Sequence, residues 1–116
     1  MRVIIVDDDF SVREGLGDIL EEKGYEVVKV EKGLEALERI KNEKFDFAII
    51  DLKLPDISGE KLISKIKNLI PEEKIIIITG YVTEEIVRKA LKGMKSYFLF
   101  KPADPNQIIN IIEREK

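Results

Sequence analysis

Residues 45–59 read FDFAIIDLKLPDISG. The largely apolar run from Phe45 to Ile50 enters Asp51 and reads as a short strand buried on both faces. Pro55 and Gly59 mark the loop that leaves it, and Ser58 is the candidate N-cap of a following helix. Asp51 is thereby placed at the strand's carboxyl end, where open α/β sheets gather their ligands. Three further strand-like runs end on reactive or charged residues: VIIVDDD at 3–9, KIIIITG at 74–80 and YFLFKP at 97–102. One polar ending is routine, but four on successive core strands point to a site.

Helical patterns separate these runs. Ser11–Lys23 places Val12, Leu16, Ile19 and Leu20 on one face, and Gly24 closes it. Glu26–Val30 is a shorter strand with charges mixed in, as an edge strand tends to have. Leu34, Leu37 and Ile40 make a second helical stripe ending near Asn42. After the Asp51 strand, Leu62, Ile63, Ile66, Leu69 and Ile70 face inward on a third helix, which Pro71 stops. Ile75–Ile78 forms the fourth strand, Ile86, Val87, Ala90 and Leu91 stripe a fourth helix, and Tyr97–Phe100 forms the fifth strand. A last helix begins near Asp104 with Pro105 in its first turn, burying Ile108, Ile109, Ile111 and Ile112. These β–α units predict one domain over residues 1–116. The expected fold class is α/β: a five-stranded parallel sheet with five helices on both faces, doubly wound and flavodoxin-like, in the order 2-1-3-4-5.

Composition narrows the function classes. A chain of 116 residues has room for one buried core, and 44% hydrophobic content is ordinary for a globular protein. No apolar run approaches the roughly 20 residues needed to cross a bilayer, so no membrane association is expected. The start runs straight from Met1 into the acidic cluster at Asp7, unlike a signal peptide, and a cytoplasmic location fits. With no cysteine and no histidine there is no disulfide, thiolate or imidazole metal ligand, Ser-His-Asp triad or phosphohistidine on this chain. The net charge of -3 gives no basic surplus for direct nucleic acid binding.

Asp7, Asp8 and Asp9 follow the first strand. Three adjacent carboxylates repel one another and need a cation or solvent; the plainer reading is a solvated turn in which Asp9 or Ser11 caps a helix. If the first and third strands are neighbours, Asp7, Asp8 and Asp51 converge at the switch point of the sheet. Such a set of hard oxygen ligands suits Mg²⁺, or Mn²⁺ in its place. Thr79 and Lys101, taken singly, read as a packed hydroxyl and a surface amine. Beside an acidic pocket they are able to hold a phosphoryl group, the ammonium as a point charge and the hydroxyl as a donor. A carboxylate nucleophile, a metal, a cation and a hydroxyl together describe formation of an aspartyl phosphate.

Over essentially its whole length the chain resembles the receiver domain of two-component response regulators. The matching motifs are Val6-Asp7-Asp8, Asp51 with Pro55 and Gly59, Thr79-Gly80 and Lys101-Pro102, each ending its expected strand. The resemblance implies phosphorelay signal transduction, in which Asp51 accepts a phosphoryl group from a histidine kinase. It implies a phospho-acceptor rather than an enzyme acting on other substrates, although such a domain assists its own phosphotransfer and dephosphorylation. It assigns Mg²⁺ to Asp8, Asp51 and the backbone carbonyl of Lys53, with Asp7 acting directly or through water. It places Lys101 and Thr79 on the phosphoryl oxygens, Phe98 at the aromatic switch position, and Lys53 and Tyr81 at the border of the phosphoryl group. It also implies a cis Lys101–Pro102 bond and an output protein or effector domain contacting the face of helix 4, strand 5 and helix 5. The chain is then either a free-standing receiver or part of a longer regulator. Two departures stand out: Phe98 lacks the commoner tyrosine's hydroxyl, and Gly80 replaces a frequent alanine.

Two other classes compete. Asp7-x-Asp9-x-Ser11 after an apolar strand, then Thr79 and a later lysine, imitate a haloacid-dehalogenase-like phosphatase. That reading leaves Asp51 without a role and lacks a further acidic motif after the lysine. A phosphorylation-independent interaction domain would not need the intact set of five polar side chains. Gly15 and Gly17 lie inside a predicted helix rather than between strand and helix, so a nucleotide loop has little support.

Overall fold

A computed structural model of the chain describes residues 1–80 and 92–116. Five strands form one sheet: β1 (Arg2–Val6), β2 (Glu26–Val30), β3 (Phe47–Asp51), β4 (Ile75–Thr79) and β5 (Tyr97–Phe100). Their order is β2-β1-β3-β4-β5 and every pairing is parallel, as expected. The inner strands carry almost unbroken burial, from Val3 to Val6, Phe47 to Asp51 and Ile75 to Thr79. They read as continuous apolar runs because both of their faces are covered. At the edges, β2 and β5 are only half-buried, which fits the mixed charges of Glu26 and Lys29.

The helices among the described residues are α1 (Phe10–Glu22), α2 (Gly33–Asn42), α3 (Gly59–Ile66) and α4 (Pro105–Glu115), with a short 3-10 turn at Glu72–Lys74. The expected helix bearing Ile86, Val87, Ala90 and Leu91 lies outside them, as does Tyr81. No helix among them is long and apolar enough to cross a membrane. Side chains alternate along each strand and so sort the core into two layers. Ile4, Val6, Ala48, Ile50, Ile75 and Ile77 pack under α2 and α3. Val3, Ile5, Phe47, Ile49, Ile76 and Ile78 pack under α1 and α4.

The helix signals act largely where the sequence places them. Asp9 caps α1, its carboxylate accepting the Val12 N–H at 3.2 Å. Gly24, at φ 92°, turns the chain out of that helix with its N–H on the Glu21 carbonyl. Ser58 caps α3 and Asp104 caps α4, with Pro105 opening the latter.

Two stripe residues were expected inside and lie outside. Leu34 is 54% exposed, while Gly33, Ala36, Leu37 and Ile40 form the buried face of α2. At 100° per residue Leu34 sits about 110° around the helix from the centre of that face. Leu69 is 51% exposed because α3 ends at Ile66 rather than running to Pro71. The Leu69 and Ile70 N–H groups both donate to the Ile66 carbonyl, a tight turn that sends Ile70 into the core and Leu69 to solvent.

Candidate functional site

The chain turns to opposite faces of the sheet after β1 and after β3, since α1 packs on one layer and α3 on the other. Because β1 and β3 are neighbours, their carboxyl ends open a crevice between the departing loops. Asp7 follows β1 and is fully buried; Asp51 ends β3 and is 3% exposed. Asp8 is exposed at the rim. One carboxylate oxygen from each of Asp7, Asp8 and Asp51 lies within 4.8 Å of the others. The convergence expected from strand order is therefore present.

Lys101 follows β5 and reaches back across the sheet end. Its Nζ stands 2.9 Å from Asp7 Oδ2 and donates to Asp51 Oδ2 at 3.0 Å. The Lys101–Pro102 peptide is cis, as the resemblance implied. Thr79 ends β4, is buried, and its carbonyl accepts the Lys101 N–H at 2.7 Å. Phe98 lies half-buried on β5 against the α2–α3 core layer, its ring tilted onto Phe100 with centroids 5.4 Å apart. A polar cavity of about 300 Å³ is lined by Asp8, Asp9, Asp51, Lys53 and Lys101.

Backbone donors fix the two buried carboxylates. The Lys53 N–H donates to Asp51 Oδ1 at 3.1 Å, and the Asp9 N–H donates to Asp7 Oδ1 at 2.9 Å. Arg13, which the sequence did not single out, anchors the same turn by donating Nη1 to the Asp7 carbonyl at 2.8 Å. Its spacing from Asp7 was the available signal, one helical turn past the Asp9 cap. Asp9 itself caps α1 as well as lining the cavity, so the acidic triplet divides into two candidate ligands, one buried and one at the rim, and one helix cap. That use of Asp9 removes the phosphatase-like Asp-x-Asp pairing.

Burial raises the Asp51 carboxyl above its ordinary value, and the Asp7 charge adds to this, against the Lys53 N–H and the Lys101 ammonium. Lys101 is itself raised: burial alone would lower it, but contacts with Asp7 and Asp51 outweigh burial. The ammonium is favoured more than the carboxylate because it has two anionic neighbours, whereas Asp51 lies deeper and shares its cation.

The donor set fits a hard divalent ion. Three carboxylates face one ammonium, leaving an excess of negative charge in a largely buried place. Asp7 Oδ2 is fully buried and receives no hydrogen bond from any described residue; its compensation is the ionic contact with Lys101. All the candidate ligands are oxygen atoms, which suits Mg²⁺ or Mn²⁺ over softer ions.

Comparison with known proteins agrees with this arrangement. Residues 3–113 match the family model of the response regulator receiver domain. The chemotaxis protein CheY of Thermotoga maritima is 32% identical over 114 residues, covering 97% of this chain and 95% of that protein. By contrast, the chain spans 28% and 16% of the length of two other curated relatives. Among solved structures, a CheY-like receiver domain protein from Methanospirillum hungatei superposes with a TM-score of 0.87 at 36% identity, covering 97% of this chain and 90% of that one. The response regulator TrrA of Thermotoga maritima, solved in complex with Mg²⁺-BeF, gives 0.80 at 27% identity, with 99% and 98% covered. With the strand order, the three converging carboxylates and the Lys101 contact already in place, the chain belongs to the response regulator receiver domain family.

Proposed function

We propose that Asp51 is the phospho-acceptor of a phosphorelay, taking its phosphoryl group from a histidine kinase in a Mg²⁺- or Mn²⁺-dependent reaction. The observation that carries this reading is the placement of Asp51 at the sheet's switch point, within 3.0 Å of Lys101 and beside Asp7 and Asp8. Asp7, Asp8, Asp51 and the Lys53 carbonyl would hold the ion. A bound divalent cation supplies positive charge beside the transferring phosphoryl oxygens.

The chain's own groups do the rest. The Lys53 N–H fixes Asp51 through Oδ1. An Asp51 oxygen attacks phosphorus, an O–P bond forms, the bond from phosphorus to the donor imidazole nitrogen breaks, and the electron pair stays with that nitrogen. Lys101 then pairs with a phosphoryl oxygen instead of Asp51 Oδ2, and the Thr79 hydroxyl donates to another. Drawing Thr79 inward opens space for the Phe98 ring, which alters the face of the fifth strand and its flanking helices for an output protein or effector domain. Moving such an equilibrium from mostly off to mostly on takes about 5.5 kcal/mol of differential stabilisation. A charge-assisted hydrogen bond, at about 1.5–3 kcal/mol, provides part of this, so activation is partial. A cytoplasmic location, shared with the kinase, goes with this reading.

Intact-mass measurement after incubation with Mg²⁺ and acetyl phosphate tests the reading. One phosphate should be added to the wild-type chain and none to Asp51→Asn. Equal uptake by the variant would refute the assignment.

A further inference from the structure

Helix α2 begins without a cap of its own. Lys32 holds the N-cap position in an extended conformation, φ -125° and ψ 145°, and its side chain makes no capping hydrogen bond. The first N–H groups of a helix have no partners within it, and an oxygen acceptor there is stabilising. The acceptor comes from the loop between β3 and α3. Asp56 accepts the Gly33 N–H on Oδ1 at 2.8 Å and the Leu34 N–H on Oδ2 at 2.9 Å. Oδ1 also accepts the N–H of Ile57 at 2.9 Å. Gly33 allows this approach, since a Cβ there would lie 2.6 Å from Ile57 Cγ1 and 3.3 Å from Asp56 Oδ1.

The same loop carries Lys53 and is fastened at its base. The Gly59 N–H donates to the Leu52 carbonyl at 2.9 Å, and the Lys53 N–H to Asp51 Oδ1 at 3.1 Å. Its base is thus tied to the site and its tip to α2. We infer that Asp56 is a positioning residue: by capping α2 from the β3–α3 loop, it holds the Lys53 backbone in place for cation binding at Asp7, Asp8 and Asp51. This inference rests on the phospho-acceptor reading above. Asp56 is not among the residues that would hold the ion or the phosphoryl group and acts through the loop. A carboxylate suits the task better than a hydroxyl because two oxygens serve three donors at once.

A cap that merely stabilised α2 would be replaceable by any other cap on that helix. The test therefore compares Asp56→Ala, Asp56→Asn and the double variant Lys32→Ser with Asp56→Ala. Mg²⁺ binding is read by isothermal titration calorimetry, and stability by urea unfolding. Asp56→Ala should weaken Mg²⁺ binding roughly 10-fold, in the range of supporting residues around a metal site. Asp56→Asn keeps one acceptor oxygen and should recover most of that loss. Lys32→Ser gives α2 a local cap in a backbone conformation that suits one, so the double variant should regain the urea midpoint while Mg²⁺ binding stays weak. Mg²⁺ affinity returning together with stability in the double variant would overturn the inference. So would wild-type affinity in Asp56→Ala. Failure of the wild-type chain itself to bind Mg²⁺ would overturn the phospho-acceptor reading and this inference with it.

Discussion

Replacing Gly59 by alanine puts a methyl group where the loop after Asp51 crosses the start of α3. An ideal Cβ there lies 2.6 Å from the Asp51 carbonyl oxygen, 2.6 Å from the Leu52 Cα and 3.1 Å from Leu52 Cδ2. Ordinary contact begins near 3.4 Å, so the first two approaches are each short by 0.8 Å (3.4 less 2.6), and both are to backbone atoms. No rotamer change relieves them; either α3 slides away or the Asp51–Leu52 peptide moves. Adding a methyl to a filled core costs about 1–3 kcal/mol, and alanine's better helix propensity returns up to about 1 kcal/mol. The expected net loss is about 1–2 kcal/mol, or roughly 4–8 °C in Tm for a domain of this size.

Gly15 supplies the opposite case in the same protein. It lies inside α1 and is exposed, and a Cβ there meets nothing within 4 Å. Gly15→Ala should therefore stabilise by about 0.5–1 kcal/mol, mainly by restricting the unfolded chain. Urea unfolding followed by far-ultraviolet circular dichroism measures both variants, with the m-value checking that the unfolded state is comparable. If the two substitutions shift the midpoint in the same direction, or if Gly59→Ala is as stable as the wild type, the steric reasoning fails.

Three further outcomes are expected. Because the folded-state pKa of Asp51 is raised, its contribution to stability is present at low pH and lost as pH rises through that value. Asp51→Asn should thus raise the Tm of the metal-free chain at pH 7 and progressively less on acidification; equal thermal scans at pH 7 would refute this. The exposed Lys53 side chain lines the polar cavity beside Asp51, so Lys53→Asn should speed phosphate loss from the purified, kinase-free protein under saturating Mg²⁺. An unchanged or slower rate counts against shielding by the lysine. Beryllofluoride with Mg²⁺ should shift the Phe98 ring resonances and the backbone amides of Gly80, residues 97–101, Ala103 and Asp104; spectra that stay put would exclude the coupling of Thr79 to Phe98.

The sheet and most of the site were legible for one physical reason. Strands covered on both faces are continuous apolar runs, so the first polar residue after each run marks the strand end with little ambiguity. Asp7, Asp51 and Thr79 sit at such ends, and Lys101 follows the apolar run of the half-buried edge strand β5. Helix faces were less legible because the apolar period fixes a stripe only when the helix ends are known. Leu34 belongs to the first turn of α2, where Gly33 takes the inward place, and Leu69 lies beyond the true end of α3. The Asp56 contact to α2 was not legible at all. A capping residue is recognised from sequence by its position just before its own helix, and Asp56 follows Gly33 by 23 positions. The missing cap at Lys32 was the only local hint that an acceptor must come from elsewhere.

On the proposed reading, charge links the acceptance of phosphate to switching. Three carboxylates converge at the site, and the ion pairs of Lys101 join the two that are buried. A divalent cation held there would bring the group close to neutral, which is the state a largely buried cluster tolerates. In the proposed reaction the Asp51 carboxylate is replaced by an acyl phosphate carrying up to two negative charges, about one more than before. That added charge arises beside the buried Asp7 carboxylate, so it must be met by donors the protein moves toward it. Lys101 is already in reach, and its departure from Asp51 Oδ2 leaves Asp7 as its remaining carboxylate partner. The Thr79 hydroxyl, buried at the adjacent strand end, is the next donor in line. In the proposed switch a shift of Thr79 would open space toward Phe98, two positions before Phe100, the residue that pairs with Thr79 on β5. On the proposed reading the signal leaves the site along β4 and β5, because those strands carry the donors that the new charge requires.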